Sequence, residues 1–469
     1  MPASSMPASS MHDVLDPCDT VPDEVEQLTT SGFEIAPALL EAVGEAADRG
    51  DRAALRALLP RVAGTARRRA DWPYDEPTGA EDLAAIEARL PGVAAGRRPV
   101  PFGGGPEDLG DRVRGAWQAR CAGCCMGKPL EGLRPEQIRG YLRAADAWPL
   151  RGYVPHLDPL PEGIERLNPS WDEATLGRVT GMPRDDDTDY TVLGLHLLER
   201  YGRGFSPRDV AREWLDKLPF TQTFTAERAV YRNLVSGVDA AQAATFDNPY
   251  REWIGALIRA DIFGYVNPGD PLAAARLAHA DASLSHTANG VYGAMWAAAL
   301  VAEAFVAPDA ATAVRRSADW VPERSRLSAT LATVLDLHAE GARWEEAIAW
   351  VDEAFAGHSW VHTLNNAAVI AAGLLWGEGD VALSLGLTVQ AGLDTDSSAA
   401  TVGSVLGALN GADALPDALI APLDDRIRSA VRGYDYSRIT ALADRTAALV
   451  VPGASGVPGA PGASGAGER

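Results

Sequence analysis

Apolar residues along this chain recur at helical spacing. Leu39, Leu40, Val43 and Ala46 fall on one face, and Leu55, Leu58 and Leu59 on another. Side chains three and four positions apart line one side of a helix. From about Leu109 to Val450 the same periodicity dominates, and no series of alternating positions reads as a set of strands. Small residues make a second pattern. Gly115, Ala119, Gly123 and Gly127 recur every fourth position, as do Gly290, Ala294 and Ala298, and Ala399, Gly403, Gly407 and Gly411. Glycine in a helix interior costs roughly 1 kcal/mol relative to alanine, so three stripes in phase point to helix axes in close approach. The expected fold is all-α, a compact multi-helix globule with a small helical N-terminal extension.

Breaks in the pattern suggest the boundaries. Residues 1–30, which open on a repeated Met-Pro-Ala-Ser-Ser, read as a disordered segment. Residues 31–105 form the small helical unit, ending in the breaker-rich stretch around Gly103-Gly104-Gly105-Pro106. Residues 106–450 form the main domain, and residues 451–469, rich in Gly, Pro, Ala and Ser, form a flexible tail. Between Trp148 and Arg184 prolines punctuate a long segment that leads straight into an acidic cluster. Loops of this length in compact domains are usually functional, and this one is placed to form a lid or wall.

Composition narrows the class. Hydrophobic residues make up 46% of the chain, enough for a large core. A formal charge of -22 argues against wholesale binding of nucleic acid or of an anionic membrane. Cys18, Cys121, Cys124 and Cys125 point to a reducing compartment, and the last three, clustered with no second Cys or His pair to complete a zinc site, read as buried free thiols on a helix. No signal peptide or membrane span is apparent, so a cytoplasmic protein is expected.

Two acidic runs carry the candidate chemistry. Asp185-Asp186-Asp187-Thr188-Asp189 and Asp394-Thr395-Asp396-Ser397-Ser398 each precede a helical pattern. The first alone reads equally well as an acidic helix cap, since Asp is common at helix starts. The second enters an apolar neighbourhood with no lysine or arginine close in sequence, where unpaired carboxylates are costly. A hard cation such as Mg²⁺ or Mn²⁺, which prefers oxygen ligands, is the simplest compensation.

These motifs resemble the ADP-ribosylglycohydrolase family. Arg114-Gly115-Ala116 through Gly123, Gly127, Pro129 and Glu131 resembles its opening helix and glutamate, and Asp186-Asp187-Thr188 its Asp-Asp-Thr signature. Ser285-His286 with Gly290 and Ala294 resembles its central segment, and Asp394-Thr395-Asp396-Ser397-Ser398-Ala399-Ala400 its closing signature. The resemblance implies an all-α domain with two Mg²⁺ ions (Mn²⁺ as the alternative) held by Asp185, Asp186, Asp187, Asp394, Asp396 and Ser397. It implies catalytic roles for Glu131, Asp186 and Asp187, and substrate contacts from Gly255, Ala256, His286 and Gly290. His286 reads equally as a core or capping histidine. Asp185, Cys124, Leu393 and Ser397 stand where the family usually has Thr, Asp, Gly and Thr.

The implied reaction is hydrolysis at C1 of an ADP-ribosyl group on a protein side chain or a small molecule. A glycohydrolase for a nucleotide- or NAD-derived metabolite and a non-catalytic ADP-ribose-binding protein are the alternatives. No nucleic-acid or membrane partner is expected.

Overall fold

A computed structural model describes residues 15–78 and 83–450. Segments 1–14 and 451–469, on which part of the expected disordered N-terminus and all of the tail fall, lie outside the described residues. The architecture is all-α, and among the described residues the strands are two short antiparallel pairs, Phe33–Glu34 with Arg67–Arg68 and Arg426–Ile427 with Ser437–Arg438. No helix among the described residues is long and apolar enough to cross a membrane.

The N-terminal unit packs three helices, Pro17–Thr30, Pro37–Asp48 and Arg52–Thr65, around their own core of Val21, Leu28, Leu39, Val43, Leu55, Leu58 and Val62. Asp16 caps the first helix through the Cys18 N–H, and Asp51 caps the third through the Ala54 N–H. Residues 17–30 are therefore helix, which corrects the expectation of disorder over 1–30. The buried side of this helix includes Glu24 and Gln27 beside Val21 and Leu28, so apolar periodicity alone does not reveal it. Ile86 and Leu90 join the core of the main domain, so the 31–105 unit divides between two cores.

A buried ionic knot docks this unit on the main domain. Arg326 donates to both Glu76 and Glu252, and Glu252 also accepts from Gln27, Ser31 and Asn289. Beside it, Arg251 grips Glu24 with two bonds, of 2.6 and 3.0 Å.

In the main domain the central helix, Ala288–Ala304, is buried along its whole length. The opening helix, Pro106–Gly127, lies antiparallel to the closing helix, Thr395–Asn410, with two of the small-residue stripes facing each other. A methyl group on Gly123 would run into the backbone of Ala399, one on Gly127 into Thr395, one on Gly403 into Ala119 and one on Gly407 into Gly115. Each step of four along one helix meets a step of four back along the other. The third stripe belongs to the central helix, where Gly264 packs against the Ala298 carbonyl.

Candidate active site

The register of these two helices brings the end of one to the start of the other. Thr395 Oγ1 donates to the Gly127 carbonyl at 2.8 Å, so the turn Lys128–Leu130 and Glu131 emerge beside Asp394 and Asp396. The acidic helix, Asp186–Tyr201, arrives from a third direction. Arg120 of the opening helix, fully buried, pairs with Asp261 and donates to the Asp187 carbonyl at 2.8 Å, which fixes that helix start. Asn366 holds the closing helix, its Oδ1 accepting from the Asp394 N–H at 3.2 Å and from Ser398 Oγ at 3.3 Å.

Two groups of side chains result, and Asp396 belongs to both. Ligand atoms of Glu131, Asp394 and Asp396 lie within 4.8 Å of one another, as do those of Cys124, Asp185, Asp187 and Asp396. Asp186 is half-buried and outside both groups, although its charge is felt at Glu131, Asp187 and Lys128. Ser397 Oγ donates to Asp187 Oδ2 at 3.2 Å, and the Ser397 N–H to Asp396 Oδ1 at 3.1 Å. Asp185 is the N-cap of its helix, its Oδ1 accepting the Asp187 N–H at 2.9 Å.

Lys128 changes the charge count. Its ammonium donates to Asp185 Oδ2 and lies 3.8 Å from Asp396 Oδ2. The expectation that no salt bridge neutralises the second run is therefore corrected: a lysine remote in sequence enters the site on the turn after the opening helix. Burial opposes its charge, but Asp396 and its neighbours outweigh burial and keep it protonated.

The carboxylates still outnumber the cations. Burial, then Asp396 and Asp186, drives the Asp187 carboxyl well above its ordinary range. Burial, then Asp396 and Glu131, does the same to Asp394. Glu131 is pushed up to about 8 by burial and then by Asp396. Asp187 Oδ1 is buried without any hydrogen-bond partner. An orphaned carboxylate oxygen amid oxygen donors that raise one another's proton affinity fits a hard divalent cation.

The expected substrate residues gather elsewhere. Gly255 and Ala256 lie in the short turn Ile254–Ala256, where the Glu227 carboxylate sits against Gly255 and Arg259 donates to the Gly255 carbonyl at 3.0 Å. His286 is buried, its Nδ1 2.8 Å from Ser285 Oγ and its Nε2 without a partner. Gly290 packs against the Arg251 carbonyl and the His286 ring. Arg259, which pairs with Glu227 and Asp281 and donates to Ser285, organises this second cluster. Its link to the carboxylates is electrostatic, through Glu227 and Asp186.

Sequence reasoning did not single out Lys128 or Asn168 for the site. The Asn168 side chain, on the Pro-rich segment, donates to Glu131 Oε2, and its N–H to the Pro129 carbonyl. The segment is pinned further by the Leu150 N–H to Gln390 Oε1 and by Tyr153 OH to the Leu419 carbonyl. Scarcity was the available signal for Lys128, one of only two lysines in the chain.

Helix termini that deliver carboxylates to one buried point define an all-α protein of the acidic-centre type. The sequence model of the ADP-ribosylglycohydrolase family matches residues 105–454, and the chain belongs to that family. Among solved structures, it is similar to one titled ADP-ribosylglycohydrolase-related protein complex. That match has 19% identity and a TM-score of 0.39, and covers 74% of this chain and 100% of that chain. No curated protein matches it.

Proposed function

We propose that this protein is a divalent-metal-dependent glycohydrolase that cleaves the C1 glycosidic bond of an ADP-ribosyl group. Besides membership of the family, one observation carries the reading: a buried carboxylate excess at Glu131, Asp187, Asp394 and Asp396, with an oxygen of Asp187 left without a donor. Buried charge left unpaired is costly, and a structural role gives no reason to keep it. The metal is Mg²⁺ or Mn²⁺, held by residues of this acidic set. When bound, such a cation supplies Lewis-acid charge for the ribose hydroxyls and the attacking water.

The residues divide the remaining work. Glu131 and Asp186 are the half-buried carboxylates of the set, and so the ones a substrate can reach. Glu131, oriented by Asn168, handles the proton exchanged at C1. Asp187, gripped by Ser397, is the other candidate for proton transfer, while Asp186 acts on the centre through its charge. His286 and the Gly255-Ala256 turn, buried around Glu227, are the candidates for contact with the rest of the nucleotide.

The contact between Asn168 and Glu131 favours a small ADP-ribosylated or nucleotide-derived substrate over a protein side chain, because the Pro-rich segment narrows the approach to Glu131. The test is release of ADP-ribose from an ADP-ribosylarginine peptide and from a small ADP-ribosyl conjugate, with Mg²⁺ and with a chelator. Metal-dependent release supports the reading, and the better substrate sets its class. Binding of ADP-ribose with no release from either would make the protein a non-catalytic binder.

A further inference from the structure

The two groups that meet at Asp396 differ in what already satisfies them. In the group of Cys124, Asp185, Asp187 and Asp396, donors from the protein already meet each carboxylate, although Asp187 Oδ1 stays without a partner. Asp185 Oδ2 takes the Lys128 ammonium, and Asp185 Oδ1 takes the Asp187 N–H. Asp187 Oδ2 faces Ser397 Oγ and, at 3.8 Å, the Cys124 thiol. Cys124 offers a soft sulfur, a poor ligand for a hard cation beside carboxylate oxygens. In the group of Glu131, Asp394 and Asp396, Glu131 accepts from Asn168, but Asp394 faces the like charges of Asp396, Glu131 and Asp187, and among the described residues no ammonium or guanidinium pairs with it.

We infer that Lys128 is a resident cation of this centre, its ammonium taking one of two cation positions, so that the chain binds a single divalent ion between Glu131, Asp394 and Asp396. The inference rests on the metal-dependent reading above and departs from the expectation of two ions. An ammonium is a compact charge with three donors on a flexible stem, and the Lys128 side chain is buried with its head at Asp185. The pairing also accounts for Asp185 itself. A carboxylate at that position matches a lysine, where a hydroxyl would have left the ammonium without its partner.

Metal counting tests this directly. Full-length protein is stripped with a chelator and equilibrated with Mn²⁺. Bound metal is then measured by elemental analysis and by electron paramagnetic resonance, which separates isolated from spin-coupled ions. Wild type is expected to hold about one Mn²⁺ per chain with an uncoupled spectrum, and Lys128→Met about two with a coupled spectrum. Lys128→Gln, which keeps a donor for Asp185, replaces Lys128→Met if circular dichroism shows that the latter is unfolded. Two coupled ions in wild type would overturn the inference and leave the proposed function standing. One ion in both wild type and variant would overturn the role of Lys128. No bound Mn²⁺ in wild type would overturn both.

Discussion

The ionic knot at the N-terminal unit and the acidic centre are both buried, and they are built on opposite rules. At the knot between the N-terminal unit and the main domain, Arg326 sits between Glu76 and Glu252, and Gln27, Ser31 and Asn289 supply further donors. Burial would raise the Glu252 pKa, but Arg326 and its neighbours outweigh burial and hold it at about 2. At the acidic centre the carboxylates of Glu131, Asp187 and Asp394 are driven up instead, with Lys128 the ammonium among them. A balanced buried network holds a structure together, whereas an unbalanced one is held by the structure for something else.

Substitutions can break the contrast. The largest effect is expected from Asp396→Ala, at the residue both groups share. Metal-dependent turnover should fall by more than about a hundredfold, while unfolding in the absence of metal should be unchanged or shifted to higher temperature as repulsion is relieved. A large loss of stability in the metal-free variant would place Asp396 among structural charges. Arg326→Met should do the reverse. Chemical denaturation should show a loss of about 3–5 kcal/mol from stranding Glu76 and Glu252.

The same knot sets a pH dependence. The folded pKa of Glu252 lies below the ordinary 4.5, at about 2. Its contribution is therefore complete above about pH 4.5 and is lost as pH falls toward 2. It is worth on the order of 3 kcal/mol by linkage. The denaturation midpoint should therefore fall as pH drops from about 5 to about 2, and Glu252→Gln should flatten that part of the stability profile. Gly403→Ala should cost about 1–3 kcal/mol from crowding the Ala119 backbone and should weaken Mn²⁺ binding through the displaced closing helix. The smallest effect is expected from Asn168→Ala, about a tenfold loss in metal affinity or turnover with little change in unfolding.

Much of the site was legible in the sequence because its parts sit at helix termini, where acidic residues before an apolar run stand out. The closing signature was visible on those terms, Glu131 only through the family resemblance, and the stripes announced close packing. Which stripe faces which was not visible, because four-residue spacing is the same on every helix. Lys128 escaped because its role depends on the direction in which a turn leaves a helix, which only the Gly127–Thr395 contact decides. The first helix escaped because Glu24 and Gln27 occupy its buried side and find their partners in Arg251 and Glu252. Leu393, where glycine was expected, adopts a φ of 63° and passes the chain into Asp394 in a conformation glycine takes more readily.

The interlocked backbones of the opening and closing helices have a mechanical consequence. Their contacts repeat like the teeth of a comb, so sliding one helix along the other finds a matching seat only four residues on, about 6 Å away. Such a slip would carry Glu131 clear of Asp394. Alignment of the centre is therefore discrete: small graded shifts along this seam are blocked by backbone atoms, and the ligand geometry is either in register or lost.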